Sequence, residues 1–431
     1  MLGNTYAHLA LDAQADSLHR KGLAASLRVY GPGSQEVLDQ VMAVAWGLND
    51  RGEYDAADSL LTGALAAYRG AGGAESQALS DALDILATAK KRLDQPAAAE
   101  SLYRQSLAIQ VRLTGANDTI TASRLSDLGS LLAAQDRLAA AESAVAAAQL
   151  HRRGVLAPLD VKLLVGESNL AMIEMKRGDL AAAEPRLRGA VAGLEQVDRA
   201  GGLNLARALD RMALLQSMEF HGLAAAATSR RAMEMFKSVM GATHPETFNS
   251  LSLLASYESD VGKFPVAAAD AAAAYAGLRR RVGDSHDMTM NAGQRLAFIQ
   301  LEAGHGRDAG IVAEPILLVL RAKYGRIPPS FARLVAADAG ARAANADMAG
   351  ADSLYREALA TLAGGTRVDS AAYPAIVASY GAFLVIRGNA AAAEPQLKRA
   401  LAFIPAGADS GTLARAQLQS ELGKSLGATH R

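Results

Sequence analysis

Stepping through the chain in increments of 42 residues from Ala15 meets Ala57, Ala99, Ala141, Ala183, Ala225, Ala267, Ala309, Ala351 and Ala393. Ten alanines at one fixed phase are not a coincidence, even in an alanine-rich chain. A length of 431 residues would ordinarily suggest two or three compact domains, but a short internal period overrides that prior. Twelve residues before each alanine stands a second column, all glycine or alanine: Gly3, Ala45, Ala87, Gly129, Ala171, Ala213, Ala255, Ala297, Ala339 and Gly381. The position before it is mostly large and apolar, as in Val44, Leu86, Leu128, Leu170, Met212, Leu254 and Leu296. Residues limited to Cβ let a facing backbone approach, and large neighbours fill the groove beside it. Each period is therefore a hairpin of two packed helices.

Within the second helix, Ala57, Leu61, Ala64 and Leu65 have the spacing of one buried stripe. Five residues before the alanine column stand Gly52, Gly178, Gly262, Gly304 and Gly388, with Asp94 and Asp136 in two other units. These residues suit the left-handed turn that ends a helix. Longer connections fall at Gly31-Pro32-Gly33-Ser34, Gly115-Ala116-Asn117-Asp118, Gly241-Ala242-Thr243-His244-Pro245 and Gly283-Asp284-Ser285-His286. The spacing predicts a first helix near 35–50 and a second near 54–69, repeated down the chain. The sixth and ninth units depart from the pattern at Phe220-His221-Gly222 and at Asp338, which occupies a normally apolar position, so local irregularity is expected there.

Leu86-Ala87 with Ala99, Tyr103 and Ser106, and Leu2-Gly3 with Tyr6 and Ala15, resemble the tetratricopeptide repeat. The longer period is similar to the kinesin-light-chain type found in bacterial regulatory proteins. So are the segments Ala99 to Ile109 and Gly241 to Thr247. That family's paired asparagines are matched only in part, by Ser168-Asn169 and Ser126-Asp127. The resemblance implies an all-α, right-handed α-solenoid of about ten helix-turn-helix repeats. It would fill residues 1–431 as a single domain, with a capping helix over 411–426. Met1 falls in the middle of a first helix, which is expected to be truncated. On that expectation the chain is the docking or sensor arm of a longer bacterial serine/threonine kinase or transcriptional regulator.

Forty-four basic and 44 acidic residues cancel, and neither sign forms a block, which argues against nucleic acid as a partner. There is no cysteine, so disulfides, thiolate metal sites and cysteine nucleophiles are excluded. No window approaches the roughly 20 apolar residues that span a bilayer, and Met1 to Tyr6 lacks a signal-peptide pattern, so no membrane insertion is expected. Read as it stands, the chain is expected to be cytoplasmic, or periplasmic or extracytoplasmic if a segment precedes it.

In a solenoid of helical hairpins the first helices line the concave face. Polar first-helix residues recurring in phase are candidate contacts to a protein or peptide partner. One column holds Asp39, Asp81, Arg207, Asn249, Asn291 and Arg333; the next, three residues on and so on the same face, holds Asp84, Asp210 and Gln294. Arg211 and Arg295 flank them, and Asn169 joins them from the fourth repeat. The strip is acidic early and rich in arginine and amides later, which would set the polarity of a bound segment. The competing reading is a set of ordinary solvated helix faces. Trp46 is a candidate anchor, although packing between helices is the commoner fate of such a residue.

Acidic residues follow the alanine column as Asp16, Asp58, Glu100, Glu142, Glu184, Asp352 and Glu394. At the start of successive second helices, a structural role beside the helix dipole and neighbouring arginines is expected for them. The eight histidines form no metal-ligand spacing, and His244 and His286 are expected to cap helices. Gly423-Lys424-Ser425 echoes a phosphate-binding loop, but Leu418 stands where the first glycine belongs. Gly166-Glu167-Ser168-Asn169 lacks the closing glycine of a nucleophile elbow. The expectation is a protein-interaction scaffold, neither an enzyme nor a holder of a cofactor. The alternative within the binding class is a self-associating, homodimeric structural solenoid. An enzyme built on the concave face would instead show a close carboxylate pair of displaced pKa.

Overall fold

The structure, a computed structural model, describes residues 12–115, 118–197, 202–363, 365, 372–404 and 413–429. Leu2, Gly3 and Tyr6, and with them the expected truncated first helix, lie outside the described residues. So do Ala116 and Asn117 of one connection and residues 411 and 412 of the expected last helix.

Among the described residues there are twenty α-helices and no strand. In order they begin α1 (Asp12–Tyr30), α2 (Gln35–Asp50), α3 (Tyr54–Gly70), α4 (Gln77–Arg92), α5 (Pro96–Thr114), α6 (Thr119–Ala134) and α7 (Leu138–Val155). Next come α8 (Val161–Arg177), α9 (Leu180–Val197), α10 (Leu203–Met218), α11 (Gly222–Met240), α12 (Pro245–Asp260), α13 (Phe264–Val282) and α14 (Asp287–Glu302). The series ends with α15 (Gly306–Tyr324), α16 (Ala332–Ala344), α17 (Met348–Leu362), α18 (Tyr373–Ile386), α19 (Ala390–Phe403) and α20 (Leu413–Thr429). Even-numbered helices up to α18 are the first helices of hairpins and odd-numbered ones the second, giving an all-α repeat solenoid. The chain divides into two compact units, Met1–Ile173 and Glu174–Arg431, and the division falls inside α8.

Both small-residue columns sit where hairpin partners touch. Ala57, Ala99, Ala141, Ala183, Ala225, Ala267, Ala309, Ala351 and Ala393 are all 0% exposed, as are Ala45, Ala87, Ala171, Ala213, Ala255, Ala297 and Ala339. At Gly129 an added Cβ would lie 2.5 Å from a Val145 methyl, and at Gly381 2.6 Å from Leu397. Both of those side chains stand four residues past the alanine of the facing helix, so the two columns interlock.

The turn column is left-handed at every described repeat: Gly52, Asp94, Asp136, Gly178, Phe220, Gly262, Gly304, Ala346 and Gly388 all have φ between 56° and 91°. In the ninth unit Asp338 is buried and its helix is shortened to Ala332–Ala344 behind a 3-10 turn at Pro329–Phe331; the irregularity expected of the sixth at Phe220-His221-Gly222 is absent from the backbone turn. It takes the form of strain instead, because Phe220, like Ala346, carries a Cβ into a region that costs such residues about 1–2 kcal/mol. Connections are closed by capping: Asp118 accepts from the Ile120 amide at 2.8 Å, His244 Nδ1 from Glu246 and His286 Nδ1 from Met288, each at 3.1 Å.

Successive first helices pack directly on one another, α2 on α4 in the first unit and α12 on α14 and α14 on α16 in the second. Successive second helices are bridged by long side chains: Arg69 reaches Gln105 at 3.2 Å, Arg231 reaches Glu195 at 2.6 Å and Arg321 reaches Glu357 at 3.6 Å. The first helices thus occupy the tighter, inner side of each unit.

Candidate functional site

In the first unit ion pairs and hydrogen bonds tie the inner strip together, although Asp84 Oδ1 and the Nε atoms of Arg124 and Arg152 are buried without a hydrogen bond. Asp81 accepts from Gln77 Nε2 at 2.7 Å and pairs with Arg124, which also meets Asp84 at 2.8 Å. Burial, then the neighbouring Asp127 carboxylate, pushes the Asp84 carboxyl up to about 7 against the pull of Arg124. Burial likewise raises Asp127, with Lys91, Arg124 and Arg152 opposing. Arg152 reaches in from α7 to donate to Ser126 Oγ at 2.8 Å and Ser123 Oγ at 3.3 Å. Asp39 is exposed, and its carboxyl is raised by partial burial and by Glu36 and Asp81. Trp46 is not packed between helices as its residue type favours; it is 61% exposed. Asn169 is half-buried on α8.

The second unit brings more of the expected residues together. Asp210 accepts from Ser250 Oγ at 3.1 Å, and burial raises its carboxyl to about 7 against Arg295 and Arg211. Burial lowers Arg211 to about 10, with Arg207 adding to the effect, and lowers Arg295 to about 10, with Arg333 acting in the same sense. Arg295 donates to Ser252 Oγ at 3.2 Å, and the Arg333 guanidinium lies 5.2 Å from the centre of the Phe298 ring. Among the described residues neither arginine has an ion pair, the Arg333 Nε is buried without a hydrogen bond, and Arg207 is exposed. Asn249 is half-buried. Asn291 donates to the Asp287 carbonyl of its own helix and Gln294 to the Ser330 carbonyl, each at 2.9 Å, so the scaffold already uses both amides.

Reading columns of a single phase misses several participants. Tyr257, 4% exposed, turns a hydroxyl without a hydrogen bond toward Asp210 and Arg295. Glu302 accepts from Ser259 Oγ at 2.9 Å; burial and Asp260 raise its carboxyl to about 7, while Arg333 opposes. Asp260 is raised by burial. The missed partners stand one period away with a small offset. Asp81 with Arg124 and Ser252 with Arg295 are 43 residues apart, and Asp84 with Arg124 and Asp210 with Ser250 are 40 apart. Side chains on adjacent slanted helices meet at that offset, so it is the signal that could have found Arg124.

The acidic column of the second helices is consumed by ion pairs, some within a helix and some between helices. Asp58 holds Lys90 at 2.8 Å, Glu100 holds Arg104 and Arg137 at 2.6 Å each, and Glu394 holds Lys398 at 2.6 Å. Asp352 takes Arg356 at 2.9 Å and the Tyr380 hydroxyl at 2.8 Å. Among the described residues no group of three or more histidine, cysteine or acidic side chains could hold a metal ion, and no helix is long and apolar enough to cross a membrane.

A tetratricopeptide repeat model matches residues 79–119. No curated protein sequence matches the chain. Among solved structures, a Rap protein complexed with Competence and Sporulation Factor shares 13% identity, covering 92% of this chain and 99% of its own, at a TM-score of 0.51. That likeness is one of fold. A putative kinesin light chain of Podosopora anserina with nearly identical TPR-like repeats shares 13% identity, covering 48% of this chain and 99% of its own, at a TM-score of 0.40. BtubC (BKLC) from P. vanneervenii shares 18% identity, covering 57% of this chain and 92% of its own, at 0.38.

Proposed function

With the chain a tetratricopeptide-type repeat protein, we propose that it is an interaction scaffold whose inner face in the second unit holds a segment of a partner protein. The observation that carries this reading is the state of Arg295 and Arg333. Like charges on neighbouring helices repel, and the nearby carboxyls of Asp210, Asp260 and Glu302 are held toward the protonated form by burial, so these arginines lack the close ion pairs that Arg124 makes. Both face the inner side without an ion pair among the described residues, beside the unbonded Tyr257 hydroxyl. A bound segment with a carboxylate there would relieve the repulsion and give the hydroxyl a partner. One protein of similar fold, the Rap protein, is complexed with a factor, which fits the reading.

The raised carboxyls of Asp84 beside Asp127 and of Glu302 beside Asp260 are the feature that would favour acid–base catalysis. Burial is the largest cause of both shifts, and each pair is set among arginines and serine hydroxyls with no histidine or metal cluster beside it. Ion networks of structural use produce the same shifts, so we retain the scaffold reading.

The test is selection of peptides from a displayed random library on the full chain. Titration of a selected peptide against the parent, Arg295→Gln/Arg333→Gln and Arg104→Ala then follows. We expect the double variant to weaken binding by tenfold or more, on the order of one lost charge-assisted contact, and Arg104→Ala to leave it unchanged. Failure to select any peptide, or equal affinity in all three proteins, contradicts the proposal.

A further inference from the structure

At the end of the strip, the second unit contains a cavity of about 470 Å³ reached from α14, α16, α18 and α20. Its origin is visible in the repeat. The first-helix column of Trp46, Thr88, Ser130, Met172, Leu214, Ser256 and Phe298 ends in Gly340 and Ala382, so the last two hairpins carry no side chain beyond a Cβ at this phase. Gly340 and Ala382 line the cavity, together with Tyr355, Phe383 and Ile386.

Two observations indicate an occupant. Ile386 is 78% exposed at the cavity, an apolar side chain with nothing covering it. Tyr355 is 2% exposed and fixed by ring contacts to Tyr380 at 5.2 Å and Phe383 at 5.5 Å. Its hydroxyl makes no hydrogen bond among the described residues, and it lies 3.5 Å from the point where a Cβ on Gly340 would stand. The hydroxyl oxygen is open to the cavity rather than sealed from it, so a ligand or solvent there supplies its hydrogen bond.

The charged groups lining the cavity are both acidic: Glu302 on α14 and Glu421 on α20, with no lysine, arginine or histidine. Glu421 is held by Lys424 at 2.5 Å, and Glu302 by Ser259. Asp260 and Arg333 act on Glu302 from the strip side and do not line the cavity. At pH 8, where Glu302 is charged, a carboxylate-bearing occupant would meet that charge beside the Lys424-paired Glu421, whereas an ammonium would complement it.

We propose that this cavity seats a large apolar side chain of the partner segment and that a basic group beside that side chain is held by Glu302 and Glu421. The peptide nature of the occupant rests on the groove reading above. The chemistry of the cavity does not.

The test uses the full chain and a matched pair of probes with one apolar body and opposite charge, 4-phenylbutylamine and 4-phenylbutyrate, titrated at pH 8 by ligand-observed NMR. The amine should bind about tenfold more tightly than the acid, the scale of one charge contact. Ala382→Leu and, at an exposed helical position of the same wall, Ala344→Leu should each reduce amine binding about tenfold or more by filling the space. Glu302→Gln should shrink the preference for the amine. Equal or better binding of the acid, no binding of either probe, or unchanged amine binding in both leucine variants overturns the proposal. Selected peptides without paired apolar and basic residues would also overturn it while leaving the groove reading intact. Absence of any selected peptide would contradict the groove reading, and the probes would still decide the cavity.

Discussion

The inner faces of the two units are built from the same columns and solve opposite problems. In the first, Arg124 closes on Asp81 and Asp84, and Arg152 on two serines, so the polar strip is spent on holding helices together. In the second, Arg295 and Arg333 are left without ion pairs, and Tyr257 keeps an unbonded hydroxyl. On the proposed reading, a shared scaffold carries a structural stretch and a receptive one, distinguished by an offset arginine rather than by fold.

The sharpest way to break this comparison is to remove one arginine from each unit. Arg124→Met takes the ion-pair partner from Asp81 and Asp84 and leaves Asp127 to Lys91 and Arg152; it should cost about 2–4 kcal/mol, read by urea denaturation. Arg333→Met loses its contact with Phe298 and its pull on Asp260 and Glu302, which burial already holds toward the protonated form, and below pH 7 should stay within about 1 kcal/mol. Equal losses would erase the distinction. The shared architecture should respond alike in both units, with Ala171→Leu and Ala213→Leu each overpacking a hairpin by roughly 1–3 kcal/mol in the same assay.

Proton linkage sharpens the picture. Asp84, Asp210 and Glu302 keep their protons in the fold up to about pH 7, whereas an unfolded chain releases them near pH 4. A carboxyl raised by folding contributes stability that is complete below its unfolded value and is lost as pH rises through its folded one. The carboxyls lowered by arginine or by backbone amides, such as Glu75 and Asp118, have finished their opposite effect by about pH 5. The melting temperature should therefore fall between pH 5 and 8, and Asp84→Asn and Asp210→Asn should each flatten that fall. Smaller still, Ala346→Gly should add about 0.5–1 kcal/mol by relieving a left-handed alanine.

The backbone was largely legible because its constraints recur every 42 residues. The alanine columns, the turn glycines and the histidine caps each announce a contact whose partner lies at the same phase. Phe220 shows the limit: its residue type marked the turn as irregular, yet the turn is regular and the residue absorbs the strain, as Ala346 does in a turn the sequence did not single out. The site was legible by half. The columns named Asp81, Asp84 and Asp210, with Arg295 flanking them, but Arg124, Tyr257 and Glu302 enter through contacts between adjacent helices offset from the period. The cavity was hidden for a different reason, since it consists of side chains that are missing from a column rather than present in one.

The central claim is most directly tested by hydrogen exchange on the full chain with and without a library-selected peptide. The account predicts added protection along α12, α14 and α16, with α2, α4 and α6 unchanged. Protection confined to the first unit, or spread equally over both, would contradict it.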